Sequence, residues 1–279
     1  MMHRQDIDER FRTIANAQHD NIDLSEAAAL IAAEEYPRLN PDDCIALLDR
    51  LAEELSPLLN TGGSDLDRLQ IMIKYLRNVH GLRGNTQDFY DPRNTFINDV
   101  LSRGLGIPIS LSVIYIEVGR RLNIPVCGVG FPQHFLMKHC GDPEFLLDPF
   151  APEVPLSNAE CKRRLIGLST APYQDDASCL NPISNRNLVA RMLTNLEMIY
   201  LHKGQLHKAL RAIDRILLML PEQIWEYRVR GIVHSHLGEY ELAEQDFETY
   251  LMRSSDAADS QSVQMRIDEI RALTARQSE

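Results

Sequence analysis

Three side chains in the middle of the chain could together carry out acyl transfer. His134 opens the apolar run HFLMKH, Asp148 ends the apolar run EFLLD, and Ser110 lies in the first turn of a predicted helix. A histidine oriented by a carboxylate can act as a general base, and a hydroxyl beside it can become a nucleophile. These residue types predict a candidate Ser–His–Asp site, provided that the fold brings the three segments together.

Each of these side chains also has an interpretation without chemistry. A carboxylate can satisfy a histidine N–H and so hold two strands together. Serine near a helix start often caps the backbone, which is an alternative role for Ser110. A third possibility is a pocket beside His134 that binds a small ligand or a peptide end without reacting. The residues alone leave these alternatives open.

The elements that must position these side chains are one helix and three short strands within residues 106–150. Pro108 suits the first turn of a helix, and apolar residues then recur at helical spacing until Pro125. Three short apolar runs separated by turn residues follow, and they predict strands. If these strands pair antiparallel, His134 and Asp148 become neighbours and the helix N-terminus faces them.

This stretch resembles the transglutaminase-like superfamily, which has a papain-like core. The pattern of that family is a Cys at the start of a helix, Arg-x-x-Gly-Ile-Pro at the helix exit, then His and then Asp-Pro. Here Arg120 and Arg121 precede Leu-Asn-Ile-Pro. His134 matches the family histidine, and Asp148 with Pro149 matches the Asp-Pro pair. The resemblance implies a helix packed beside a small antiparallel sheet.

The nucleophile of the family is missing from this sequence. The Cys position falls near residues 108–110, which are Pro-Ile-Ser. The resemblance therefore implies a pseudoenzyme that retains His134 and Asp148, without a cofactor. The alternative is a hydrolase or acyltransferase with Ser110 as nucleophile, His134 as base and Asp148 as the residue that orients the base.

Three segments are similar to one branch of this superfamily, the bacterial SirB-type proteins. The segments are GIPISLSVIYIEVGRRL, FPQHFL and LDPF. Proteins of this branch join a transglutaminase-like domain to tetratricopeptide repeats, and the resemblance covers most of the chain. It implies a regulatory role, because the branch is described as influencing the expression of another regulator.

The last third of the sequence repeats itself with a period of 34 residues. Gly204 and Gly238 are one such pair. The other pairs are Leu206 and Tyr240, Ala209 and Ala243, Ile213 and Phe247, and Leu217 and Leu251. This period and pattern are typical of tetratricopeptide repeats, and residues 261–275 predict a helix that caps them.

Several arginines lie on the predicted repeat helices. Such charges are usually solvated, but in a repeat groove they can hold an acidic peptide or its terminal carboxylate. Arg191, Arg228 and Arg230 are therefore candidate peptide-binding residues, and the predicted partner is a protein or peptide bound by the repeats.

The fold class that these patterns predict is α+β and predominantly helical, with a small antiparallel sheet followed by α–α repeats. Residues 1–180 are predicted to form a helical array plus the transglutaminase-like core, whose motif spans residues 94–150. Residues 181–279 are predicted to form the repeats with their capping helix. The boundary is predicted in the turn-rich segment 169–184.

Composition narrows the classes of partner. The 279 residues carry a net charge of −11, which disfavours a surface that neutralises nucleic-acid phosphates. Apolar runs are too short to span a bilayer, and the N-terminus MMHRQDIDERF lacks the apolar core of a signal peptide. The sequence thus predicts a cytoplasmic protein without direct contact to nucleic acid or membrane, and leaves its oligomeric state open.

The cysteines indicate a reducing compartment. There are 5 cysteines, an odd number, and none has CxxC spacing. A disulfide framework and a zinc site are both poor interpretations of such a set. The prediction is free thiols, with Cys127 as a small core residue and no metal site.

Overall fold

A computed structural model describes residues 4–18, 21–59, 63–130, 134–141, 146–152, 155–156, 163, 180–254 and 258–277. The chain divides into two compact units, Met1–Met192 and Leu193–Glu279, and the second is called the repeat unit below. Most of the predicted boundary segment 169–184 lies outside the described residues, so the predicted boundary stays a prediction.

The first unit begins with helices whose ends follow from their capping residues. Asp23, Asn40 and Ser64 each accept a hydrogen bond from a backbone N–H of the first helical turn, as residues of these types do. The helices are α1 (Arg4–Ala15), α2 (Leu24–Glu35), α3 (Pro41–Leu55), α4 (Asp65–Asn78), α5 (Ile97–Arg103) and α6 (Pro108–Arg121). Short 3₁₀ turns occupy Ser56–Leu58 and Pro92–Asn94.

Helix α6 is the centre of the first unit. Its apolar residues point in every direction, and Leu111, Val113 and Tyr115 are completely buried. A helix that is apolar all round is expected in a core rather than at a surface. Helices α2 to α5 pack against it, and it also contacts the strands that follow. Any side chain in its first turn is therefore held by several neighbouring elements.

A four-stranded antiparallel sheet follows α6. Its strands are β3 (Val126–Val129), β4 (Leu136–His139), β5 (Leu146–Leu147) and β6 (Pro155–Leu156), in the order β3-β4-β5-β6. The strands β1 (Arg83–Gly84) and β2 (Leu105–Gly106) form a separate parallel pair. The three strands predicted after α6 thus form an antiparallel sheet, whereas β1, β2 and β6 are too short for a sequence pattern to indicate.

The helices of the C-terminal part carry the 34-residue period. They are α7 (Asn185–His202), α8 (Leu206–Met219), α9 (Ile224–Leu237), α10 (Tyr240–Arg253) and α11 (Ser260–Gln277). Gly204 and Gly238 both have a positive φ, which glycine adopts at helix ends. Ala209 and Ala243 are fully buried, so the helices of each repeat approach closely. The predicted fold, α+β and mostly helical with C-terminal repeats, is confirmed.

The prediction for the cysteines is wrong for one pair. Cys127 and Cys140 form a disulfide in the structure, with their Cα atoms 5.7 Å apart. Cys127 is partly exposed on β3 and is not a core residue. The sequence spacing of the pair did not indicate it, because strand register rather than spacing brings the two residues together. Cys44 is a free thiol, as predicted, and is buried, and Cys161 and Cys179 lie outside the described residues.

Over the ranges that the structure describes, no helix has both the length and the apolar content needed to cross a bilayer.

Candidate functional site

The structure brings His134 and Asp148 together. His134 lies two residues before β4, and Asp148 directly follows β5. Because β4 and β5 are antiparallel neighbours, with Met137 opposite Leu147, the start of β4 and the end of β5 lie at the same end of the sheet. The distance from His134 Nε2 to Asp148 Oδ2 is 3.2 Å, and the side chains are 28% and 13% exposed. The pair is therefore hydrogen-bonded and reachable from solvent.

Backbone contacts on both sides fix the orientation of the pair. Asp148 Oδ1 accepts a hydrogen bond from the Phe150 N–H at 2.9 Å. Arg191, on α7, donates from Nη2 to the His134 carbonyl oxygen at 2.8 Å and lies over the Phe135 ring. Burial lowers the pKa of Arg191. Sequence reasoning missed this contact, since 57 residues separate Arg191 from His134.

Ser110 is held in a different network. Its Oγ accepts a hydrogen bond from the Ile107 N–H at 3.1 Å and donates to the Asn94 carbonyl oxygen. The residue is 2% exposed. Ser110 and His134 are not hydrogen-bonded to each other, and among the described residues Asp148 is the hydrogen-bond partner of the His134 ring. The Ser110 hydroxyl thus ties the start of α6 to the preceding loop.

The family position of the nucleophile falls at the start of α6. Pro108 occupies the first helical position, where it supplies neither a thiol nor a backbone N–H. An oxyanion intermediate is normally stabilised by preorganised N–H groups close to the nucleophile. The start of α6 therefore offers Pro108 and Ile109 without a nucleophilic side chain, and one backbone N–H fewer than a helix start without proline.

A loop at residues 85–94 is built on two buried asparagines. Asn85 Nδ2 donates to Asn94 Oδ1 at 3.0 Å, and the Asn94 amide donates to two backbone carbonyls of the same loop. This network leaves Phe89 and Tyr90 exposed, with their rings in edge contact at 5.5 Å. Residues 80–94 are rich in turn-forming residues, which predict a loop but not the burial of its asparagines.

Gly84, directly before this loop, packs against the chain segment that follows Asp148. Its backbone lies against the ring of Phe150, which is two residues after Asp148, and a Cβ atom at Gly84 would lie 2.5 Å from two ring carbons. Arg77 Nη1 donates to the Phe150 carbonyl oxygen at 3.3 Å. The close approach explains why a glycine is needed at this strand position.

Replacement of Gly84 by alanine is expected to lower the free energy of unfolding of the first unit by about 1–3 kcal/mol, because the added methyl group displaces the Phe150 ring. Urea unfolding followed by circular dichroism measures the change. Phe150→Leu in the Gly84→Ala chain should recover part of the loss, since the smaller side chain leaves room for the methyl group. A Gly84→Ala chain as stable as the parent would contradict the packing described.

The candidate peptide-binding arginines of the repeat unit are engaged with acidic side chains of that unit. Arg230 donates to both carboxylate oxygens of Asp246, at 2.8 and 2.7 Å, and to Asp214 at 2.8 Å. Arg228 Nε is 2.7 Å from Asp259 Oδ2, and its guanidinium lies over the Trp225 ring at 4.5 Å. Arg191 belongs to the first unit and contacts His134 as described above. The role of Arg191, Arg228 and Arg230 in peptide binding stays a prediction.

A buried pair of carboxyl groups lies in the repeat unit, on α7 and α9. Glu197 and Glu226 are 5% and 8% exposed, and each leaves its Oε2 atom buried without a donor from the described part of the chain. Burial, together with the neighbouring Glu226, raises the pKa of Glu197 to about 8, and burial also raises that of Glu226. A proton retained on one carboxyl would give the pair a donor. Sequence reasoning missed this pair.

Comparison with known proteins identifies both parts of the chain. A model of the transglutaminase-like superfamily matches residues 42–194, and a tetratricopeptide repeat model matches residues 196–268. The chain therefore belongs to the transglutaminase-like superfamily, with tetratricopeptide repeats after that domain. The resemblance inferred from the motifs around His134 and Asp148 is confirmed.

Its relatives include bacterial proteins named UPF0162. The chain is 35% identical to the UPF0162 protein of Xylella fastidiosa strain 9a5c, over 86% of this chain and 87% of the relative. Identity to the UPF0162 protein of Pseudomonas aeruginosa is 28%, over 91% and 93% of the two chains. Mouse F-box only protein 21 is 31% identical over 168 residues, which are 56% of this chain and 26% of that protein. No solved structure matches the chain.

Proposed function

We propose that this protein is a non-catalytic interaction protein with an indirect regulatory role in the cytoplasm. Its transglutaminase-like domain retains His134 and Asp148 without a nucleophile, and its repeats bind a protein partner. The observation that carries the proposal is the commitment of Ser110, the one hydroxyl of the first turn of α6, to the Asn94 carbonyl oxygen.

Two features support the absence of catalysis. A nucleophilic serine must hand its proton to the general base, but the Ser110 proton is directed at a carbonyl oxygen that cannot accept it as a base would. The residue is also buried, so a substrate carbonyl could reach it only if the start of α6 moved away from the loop. His134 and Asp148 then orient each other and shape the edge of the sheet.

The repeats support a binding role. Proteins of this architecture bind partners along extended surfaces formed by stacked helices. Trp225 is 54% exposed, and its ring is held by Arg228 on one side and by edge contact with Tyr250. A rigid, half-exposed tryptophan is the kind of side chain that anchors protein interfaces, because little conformational entropy is lost when it is buried.

Replacement of Ser110 by alanine is the sharpest test of the non-catalytic proposal. The variant is expected to be less stable by about 1–3 kcal/mol, because the Ile107 N–H and the Asn94 carbonyl lose a buried partner. The parent is expected to show no labelling by a fluorophosphonate probe and no turnover of ester or amide substrates. His134→Ala serves as a second control for the same assays.

The alternative function, hydrolysis or acyl transfer by Ser110, His134 and Asp148, predicts the opposite result. Fluorophosphonate labelling of the parent that disappears in Ser110→Ala and falls sharply in His134→Ala would overturn the non-catalytic proposal. Peptide mass mapping of the labelled chain identifies the serine, so labelling elsewhere is not mistaken for activity at this site.

Binding by the repeats can be tested at Trp225, the single tryptophan of the chain. Peptides selected on the full chain from a random display library are titrated against the parent, His134→Ala and Trp225→Phe, with anisotropy of labelled peptide as the common readout. We expect the first two proteins to bind alike and Trp225→Phe to bind more weakly. Peptides whose binding depends on His134 and not on Trp225 would contradict the assignment of binding to the repeats.

A further inference from the structure

Cys127 and Cys140 lie on one face of the pair of strands that flanks His134. In the β3–β4 ladder Cys127 is opposite Lys138, and Cys140 comes two residues after Lys138. Residues two apart on a strand share a face, so the two cysteines point the same way. Their Cα separation of 5.7 Å is in the middle of the range that a disulfide spans.

The two sulfur atoms differ in their access to solvent. Cys140 is exposed at the end of β4, whereas Cys127 is only partly exposed within β3. Thiol–disulfide exchange requires an attacking thiolate to reach one sulfur atom, and exposed disulfides are the exchangeable ones. Attack is therefore expected at Cys140. Cys44 does not compete, since it is 1% exposed and burial raises the pKa of its thiol to about 11.

The crosslink lies at the base of the hairpin that carries His134. The β3–β4 ladder contains four residue pairs, from Val126 opposite His139 to Val129 opposite Leu136. His134 lies in the connection at the other end, and β5, which leads to Asp148, pairs with β4. A bond between Cys127 and Cys140 prevents this short ladder from separating at its open end. It therefore stiffens the hairpin that carries His134, including β4, the strand that pairs with β5.

We propose that Cys127 and Cys140 form an exchange-active disulfide whose opening by a small dithiol loosens the strands that hold the His134–Asp148 pair. One thiolate of the dithiol attacks Cys140 Sγ, a mixed disulfide forms, and the Cys127–Cys140 bond breaks. Cys127 leaves as a thiolate and takes a proton from water. The second thiol of the dithiol then attacks the first dithiol sulfur, which is bonded to Cys140 in the mixed disulfide. Cys140 is released as a thiolate. The dithiol is oxidised to a cyclic disulfide, and the cysteine pair is reduced by the same two electrons.

The test uses the full chain with Cys161→Ser and Cys179→Ser, so that only the described cysteines remain. The protein is equilibrated in a series of dithiothreitol buffers of rising reduced-to-oxidised ratio, quenched with acid, alkylated with N-ethylmaleimide and mapped by mass spectrometry. We expect Cys127 and Cys140 to become alkylated together in one two-electron transition. Cys44 should be alkylated only after unfolding.

Two further measurements connect the crosslink to the strands. Reduction is expected to lower the thermal midpoint of the first unit by roughly 5–10 °C, since closing a loop of this size constrains the unfolded chain. Amide hydrogen exchange in residues 126–129 and 136–139 is expected to become about tenfold faster, as the opened ladder frays. Cys127→Ser and Cys140→Ser should each abolish both redox effects and leave the other cysteine fully alkylated.

The proposal is overturned if Cys127 and Cys140 are alkylated in the most oxidising buffer, or if they titrate independently of each other. It is also overturned if the oxidised and reduced chains have the same thermal midpoint and the same exchange rates. A redox effect that persists in the single serine variants would assign the effect to other residues. The alkylation series is measured on the chain that keeps both Cys127 and Cys140. The proposal can therefore be tested even if a serine variant fails to fold.

Discussion

Replacement of Glu197 by glutamine is expected to raise the free energy of unfolding of the repeat unit at pH 8 by about 2–4 kcal/mol. Glu197 and Glu226 are buried beside each other, and burial raises the pKa of both. At pH 8 the folded state must hold an ionised carboxyl in a buried position or retain a proton that the unfolded chain has released. Glutamine removes this penalty, and its amide donates to Glu226.

The sign of the pH dependence follows from the same shift. The unfolded chain loses the Glu197 proton near the ordinary value of 4.5, whereas the folded chain keeps it up to about pH 8. Between these values the unfolded state binds fewer protons, so the free energy of unfolding falls as the pH rises. Below pH 4.5 the penalty is absent, and above about 8 it is constant.

The measurement is urea unfolding between pH 4.5 and 8.5, followed by Trp225 fluorescence and circular dichroism. Glu197→Gln should show a flatter pH profile than the parent and should match the parent at the acidic end. Glu241→Gln is the matched control, because it makes the same change at an exposed position of the same unit and should alter stability by less than about 0.5 kcal/mol. A parent whose stability does not fall across this range would show that the pair is not protonated in the folded chain.

Replacement of Arg230 by alanine is expected to lower the free energy of unfolding of the repeat unit by about 3–5 kcal/mol. Arg230 holds Asp246, whose side chain is 7% exposed, through two hydrogen bonds. Without the guanidinium, the Asp246 carboxylate stays buried with an uncompensated charge. The exposed Arg266→Ala on α11 makes the same truncation without this consequence and should stay within about 0.5 kcal/mol of the parent.

A second substitution shows whether the loss comes from the ion pair. Asp246→Asn in the Arg230→Ala chain should restore at least about 1–2 kcal/mol, because the buried charge is removed together with its partner. The same variants test the predicted binding role of Arg230. If Arg230→Ala were as stable as the parent but no longer bound the selected peptides, Arg230 would be a binding residue and its ion pairs would contribute little to the fold.

The features that could be predicted from the sequence are those with a local physical cause. The 34-residue period relates Gly204 to Gly238 and Ala209 to Ala243, and it arises from side chains that pack within one helical pair and its neighbour. The capping residues Asp23 and Ser64 act on the turn that follows them. The position of α6 and the strands beside His134 follow from apolar spacing and turn residues, which is why the fold class could be predicted.

The features that only the tertiary structure decided depend on contacts between residues that are distant in the chain. Ser110 is a plausible nucleophile in a linear pattern, but its hydroxyl meets Asn94, 16 residues earlier, and not His134. Arg191 could as well have faced solvent, yet it supports the His134 backbone across 57 residues. A helical pattern specifies which face of a helix is apolar, and leaves open which atom of another element a polar side chain meets.

The sequence by itself therefore determined the family, the central helix with the strands beside His134, and the C-terminal repeats, and it predicted that His134 and Asp148 are neighbours if those strands pair antiparallel. The tertiary structure decided the state of each polar group: the Ser110 hydroxyl bonded to a carbonyl, Arg230 between two carboxylates, Glu197 beside Glu226, and Cys127 bonded to Cys140. The physical reason is that apolar burial depends mainly on periodicity, whereas hydrogen bonds, proton affinities and disulfides depend on separations of a few ångströms that only packing sets.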